Sequence, residues 1–175
     1  MGKTKTMLDD YQDDEMLDDE IYFAQYKAGL EGDWEAKVNK LIDEIEVTPY
    51  VFVYGTLMNG FGNNLLLEGT KMYSESITLE KYCMYAAHIP FVLESQKTSH
   101  IRGELYKIDA NILHGLDQLE GHPTFYQRKI VETLTKDSEI VKAWLYFYND
   151  ENMEETDYIQ RCEDGNYRNY RNQIQ

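Results

Sequence analysis

Cysteine, basic charge and long apolar runs are all scarce in this chain of 175 residues, and each shortage closes off a class of protein. Only Cys83 and Cys162 are present, far apart and outside any C-x-x-C spacing. That pair builds neither a disulfide framework nor a structural zinc site, and it fits reduced thiols in a cytoplasmic protein. Lys and Arg number 17 against 32 Asp and Glu, a formal charge of −15 at pH 7. So acidic a chain lacks the basic footprint of nucleic-acid binding and is repelled by an anionic membrane surface, which leaves small molecules or proteins as partners. No stretch approaches the roughly 18 consecutive apolar residues of a membrane-spanning helix. The N-terminus is acidic rather than a basic run followed by an apolar one, so no signal peptide is expected. These absences together predict a soluble, cytoplasmic protein.

What the chain does carry is enough apolar material for a core: 42% hydrophobic residues, 13% aromatic, and 15 tyrosines. Its length fits one domain with an appendage. Residues 1–48 hold 14 acidic and 5 basic side chains, net −9, and leave net −6 for the rest, so the first segment is the outlier. We expect an acidic, partly helical N-terminal extension over 1–48 and a folded domain over 49–175. Within the extension, residues 7–20 are a run of Asp and Glu that reads as a frayed helix or a solvated tail. From 33 to 46, Trp34, Val38, Leu41, Ile42 and Ile45 recur at helical spacing, with Asp33 as the cap. Thr48-Pro49 ends that helix, because the residue before proline disfavours helical angles.

From Tyr50 the pattern turns to strands. Tyr50-Val51-Phe52-Val53-Tyr54 is aromatic and β-branched throughout, as a strand covered on both faces requires. Further strands are expected at 76–79, 84–86, 91–93, 101–108, 127–134 and 141–148. A helix is predicted over 110–120, with Asp109 as N-cap and Gly121 as its left-handed stop, followed by Pro123.

Two segments carry candidate chemistry. Tyr54-Gly55-Thr56-Leu57 follows the buried strand and precedes a Gly/Asn-rich loop. Successive free N–H groups there can hold a carboxylate or a carbonyl oxygen, and an ordinary turn is the alternative. No Gly-Lys-Ser/Thr follows, so this is not a nucleotide-binding P-loop. On the predicted helix, Ile112, Leu113, Leu116 and Leu119 form the apolar stripe, and Glu120 falls at i+7 from Leu113 and i+4 from Leu116. Glu120 therefore points where the core should be, and burial should raise its pKa into the range of a general acid or base. Pairing with a neighbour such as Arg128 is the other reading of Glu120. Asp117, a turn away, reads as a surface charge. Tyr126 and Arg128 follow closely in sequence, and either can hold a substrate carboxylate; Arg128 can equally pair with an acidic residue. The four histidines show no metal-ligand spacing, no Gly-x-Ser-x-Gly elbow is present, and no metal or other cofactor is expected.

In this order, Val51-Phe52-Val53-Tyr54-Gly55-Thr56-Leu57, Gly103-Glu104-Leu105-Tyr106, Leu116-Asp117-Gln118-Leu119-Glu120-Gly121, Tyr126-Gln127-Arg128 and Trp144-Leu145-Tyr146 resemble the gamma-glutamylcyclotransferase-like superfamily. The branch they look most like is the gamma-glutamylamine cyclotransferases. The C-terminal Asp164-Gly165-Asn166-Tyr167-Arg168 is similar to the end of that branch, with Asn166 where the branch often has Asp, a departure that touches the closing contacts and not the glutamate. The resemblance covers about residues 50–171 and leaves the first 48 outside.

It implies an α+β fold, a small closed mixed β-barrel flanked by a few helices, with the site at one end. It further implies that Tyr54, Gly55, Thr56 and Leu57 bind a glutamyl group, that Glu120 carries the proton, and that the substrate is a gamma-glutamyl amide. The product would be pyroglutamate and a free amine, formed without a metal by attack of the substrate's own α-amine. The alternatives are binding of a small amide metabolite without turnover, or a protein-interaction module using residues 1–48 as the partner-binding segment. The walls that select the leaving amine should lie in loops such as 87–90 and 94–100.

Overall fold

The structure, a computed structural model, describes residues 36–150 and 153–174. The chain divides into two compact units, Met1–Lys40 and Leu41–Gln175. Of the first, residues 36–40 are described and are helical; the acidic run 7–20, Asp33 and Trp34 lie outside the described residues. The second unit opens with helical residues 41–47 (α1), which stop at Thr48-Pro49 as the proline predicts. Leu41 is buried and Ile45 packs on the core, whereas Ile42, expected on the same face, is 45% exposed. A short helix docked over a curved sheet buries a narrower stripe than its apolar spacing suggests.

Seven strands follow: β1 Tyr50–Val53, β2 Met72–Ala86, β3 Pro90–Leu93, β4 Ser99–Lys107, β5 Tyr126–Thr135, β6 Ile140–Tyr148 and β7 Gln160–Arg161. A 3-10 helix, Gly62–Leu67, lies between β1 and β2; α2 spans Ala110–Glu120 and α3 Tyr167–Gln173. The sheet runs β2-β4-β1-β6-β5 and closes where Ser76, Ile77 and Thr78 of β2 pair with Thr135, Leu134 and Thr133 of β5. All these pairings are antiparallel except β1 with β6, so the barrel is closed and mixed, as expected. β1 threads its centre, paired on both sides, and Val51, Phe52 and Val53 are buried. That is why its sequence is apolar at every position.

β2 differs from the expectation of two separate strands at 76–79 and 84–86. It is one strand of 15 residues whose register against β4 shifts between Ile77 and Lys81. Its first half alternates buried and exposed residues within the barrel. Its second half, Tyr82 to Ala86, is buried throughout because β3 and β7 flank it. A bulge at the polar Glu80-Lys81 step lets one strand serve both sheets. The 3-10 helix, β7 and α3 are too short or too polar to show a period in the sequence.

α2 matches its predicted ends: Asp109 Oδ1 accepts the Ile112 N–H at 2.9 Å, and Gly121 has φ 60°. Leu113 and Leu116 are fully buried beneath it. No helix among the described residues is long and apolar enough to cross a membrane.

Candidate active site

Where β1 leaves the barrel, residues 54–57 line a cavity of about 190 Å³. The far wall comes from the end of α2 and the start of β5, with Leu119, Glu120, Phe125 and Tyr126, and from Ile89, Pro90 and Tyr146. The fold thus brings Tyr54, Gly55, Thr56, Leu57, Glu120 and Tyr126 to one cleft, although up to 72 positions of sequence separate them.

The loop after β1 is held through its carbonyls. Gly55 O accepts the Met58 N–H at 3.0 Å, Thr56 O the Asn63 N–H at 3.1 Å, and Met58 O the Phe61 N–H at 3.1 Å. Leu57 O accepts from Asn64 Nδ2 at 2.8 Å, and Asn59 O from Arg168 Nη2 at 2.9 Å. Among the described residues, the N–H groups of Gly55, Thr56 and Leu57 have no partner. A loop whose acceptors are engaged and whose first three donors, at residues 55–57, are free is a ready receptor for an anion or a developing oxyanion. Glu104, buried behind it, accepts the Asn59 N–H at 2.8 Å, the Tyr106 hydroxyl at 2.9 Å and Arg168 Nη2 at 3.0 Å. Glycine at 55 is required by space: a Cβ there would lie 2.4 Å from Pro90 Cγ.

Glu120 closes α2 with its carboxylate half-buried and, among the described residues, without a hydrogen-bond or ion-pair partner. Burial alone pushes its pKa from 4.5 up to about 7. Its neighbours are phenols. Tyr54, Tyr126 and Tyr146 all have their hydroxyls pushed above the ordinary range, by burial first, with the Glu120 carboxylate among the further causes. They stay protonated at neutral pH and can only donate or accept as neutral groups. Tyr54 Oη donates to Tyr146 O at 2.7 Å, and Tyr126 Oη to Pro90 O at 3.2 Å, which ties the two sides of the cleft together.

Three expectations change here. Asp117 is not a surface charge: its side chain is 15% exposed and accepts from Arg128 Nε at 2.7 Å, Arg128 Nη2 at 3.0 Å and Tyr146 Oη at 2.6 Å. It lies at i+4 from Leu113 and only about 60° around the helix from Glu120, so it belongs to the inward face. Arg128, expected at the substrate, does not line the cleft. It also donates to Glu44 of α1 at 2.6 Å, its guanidinium lies 4.6 Å from the centre of the Trp144 ring, and it is 8% exposed, so its charge is fully engaged away from Glu120. Leu119, placed on the core stripe by spacing, is 43% exposed and faces the cleft instead. Tyr146 and Asn63 also line the cleft; Tyr146 stands in the Trp-Leu-Tyr motif, which was the one signal for it. Asn166 caps α3, accepting the N–H groups of Arg168 and Asn169 at 3.1 and 3.4 Å, so the closing contacts form with asparagine there.

One end of this closed mixed barrel of five strands thus sets a loop with free N–H groups across a cleft from a half-buried glutamate. An uncharacterized protein from Pyrococcus horikoshii shares the fold at TM-score 0.56 and 24% identity, over 73% of this chain and 96% of that one. The profile of the family described as Gamma-glutamyl cyclotransferase, AIG2-like matches residues 51–169, and the chain belongs to that family. A Methanocaldococcus jannaschii protein named "Putative gamma-glutamylcyclotransferase" is 47% identical over 100 residues, 57% of this chain and 83% of its own length. The rat gamma-glutamylaminecyclotransferase is 32% identical over 92 residues, 47% of this chain and 62% of that protein.

Proposed function

We propose that the chain converts a gamma-glutamyl amide into pyroglutamate and a free amine. The observation that carries this reading is the unpartnered, half-buried Glu120 in the same cleft as the unpartnered N–H groups of Gly55, Thr56 and Leu57. The substrate's α-amine attacks its own γ-carbonyl carbon, a new carbon–nitrogen bond closes a five-membered ring, and the original amide bond breaks. Glu120 takes the proton from the attacking amine and delivers it to the departing one, so atoms and charge balance without a metal or a redox group. The free N–H groups bind the α-carboxylate or the oxyanion, and one such donor contributes roughly 3 kcal/mol. Tyr54 and Tyr126 wall the folded glutamyl chain. Holding it in an attack geometry supplies on the order of 7 to 11 kcal/mol relative to an unoriented encounter. The first test is release of pyroglutamate from gamma-glutamyl amides by the purified chain; a folded protein that releases none would sink the reading.

Two results follow at this site. The base form of Glu120 is required at the start, so kcat/KM should rise tenfold per pH unit below about 7 and level above it, with the substrate amine titrating as a separate limb at higher pH. A profile with its inflection near the ordinary 4.5 would mean a solvated carboxylate and a different base. Replacing Gly55 by alanine drives a methyl group into Pro90 and displaces the donor loop. Its kcat/KM should fall by about 100-fold, the loss of roughly one oxyanion donor, while the melting curve stays cooperative; unchanged turnover would show that the loop does not touch the substrate.

A further inference from the structure

On that same reading, the remaining cleft wall defines the amine that leaves. Once the zwitterionic glutamyl end takes the free N–H groups and Glu120, the wall left over is mostly apolar, with the Asn63 amide and the Tyr146 phenol, both already hydrogen-bonded, as its polar members. Ile89, Leu119 and Phe125 line the cleft and are 41%, 43% and 49% exposed, a strong concentration of bare hydrocarbon at one opening. Phe125 is not a loose side chain: its ring packs edge-on against Tyr126 at 5.3 Å and Tyr148 at 5.2 Å between centroids. Among the described residues lining the cleft there is no Lys, Arg or His, and Glu120 is the one acidic group. A carboxylate next to the leaving nitrogen, as in gamma-glutamyl amino acids, would find no cation here. It would also lose water to hydrocarbon with Glu120 close by. An alkyl or aryl stem would gain instead, each methylene withdrawn from water being worth roughly a fourfold preference.

We infer that the cleft selects gamma-glutamyl amides of uncharged alkyl or arylalkyl monoamines, with Ile89, Leu119 and Phe125 as the specificity-determining residues. The reaction is the one written above, with the alkylamine as leaving group and the transferred proton ending on its nitrogen.

The test compares five substrates with the full chain: the gamma-glutamyl amides of methylamine, butylamine, phenethylamine, glycine and the ε-amine of lysine. kcat/KM for pyroglutamate release is measured on each, and calorimetric affinity is measured in parallel on Glu120→Gln. The butyl and phenethyl amides should exceed the methyl amide by about tenfold, short of the roughly 60-fold that three fully buried methylenes give because the wall is half open, and the glycine amide by about 100-fold, mostly through KM. Phe125→Ala and Leu119→Ala should each shrink the butyl-to-methyl ratio about fivefold, with Phe125→Leu retaining it. A methyl, glycine or lysine amide that equals the butyl amide overturns the inference, as does absence of binding to all five. Affinities in the expected order without turnover by the native protein would defeat the cyclotransferase reading and leave the apolar selection standing.

Discussion

Glu120→Gln should lower pyroglutamate release by about 1000-fold while leaving the fold intact, within the range that a positioned acid/base group contributes. No other carboxylate lines the cleft among the described residues, and the surrounding phenols are held protonated, so nothing nearby can take over the proton. The same substitution has a thermodynamic signature that a bystander glutamate would not give. Glu120 titrates at about 7 in the folded protein against an ordinary 4.5, so the native state binds more protons than the unfolded chain between those values. Stability therefore falls as pH rises from about 4.5 to about 7, because the buried carboxylate must ionise without a partner. Glutamine removes that penalty. Melting curves of the variant should lie above those of the native protein at pH 8 and converge on them at pH 4. A variant that loses turnover but melts below the native protein at pH 8 would point to a structural glutamate instead.

Arg128→Ala should be the most damaging single change to stability, at about 3 to 5 kcal/mol. The guanidinium is the shared partner of Asp117 and Glu44 and stacks on Trp144, and its side chain is 4% exposed. Removing it leaves two partly buried carboxylates facing a void, whereas lysine would keep a charge but lose the bidentate geometry. Activity should fall as well, since Asp117 also anchors the Tyr146 hydroxyl at the cleft. The check is urea unfolding of native, Arg128→Ala and Arg128→Lys proteins at pH 7. A cost under 1 kcal/mol at pH 7 would show that the pair is hydrated and dispensable.

The parts of this molecule that could be read from sequence are those whose cause is local. β1 is apolar at every position because both of its faces are covered, and α2 carries its own start and stop in Asp109 and Gly121. The donor loop and Glu120 were visible because each stands at the end of such an element. What could not be read depends on neighbours distant in the chain. Asp117 looks like any polar helix residue until Arg128 and Tyr146 are placed beneath it. Leu119 continues an apolar period and yet faces an opening, since periodicity marks a face without saying whether that face meets a core or a cleft. Likewise, β2 reads as two strands because the register shift between Ile77 and Lys81 interrupts its alternation.

The brace behind the donor loop joins Asn59 to Arg168 across 109 positions of sequence, and Glu104 to Arg168 across 64. A polymer must close those long loops before the receiving surface takes its final form, and loop closure carries an entropic cost that only later contacts offset. During synthesis from the N-terminus, β1 and its loop leave the ribosome more than a hundred residues before the arginine that fastens them. The brace that anchors this loop can therefore form only late in the synthesis of the chain, after the strands it rests on are already made.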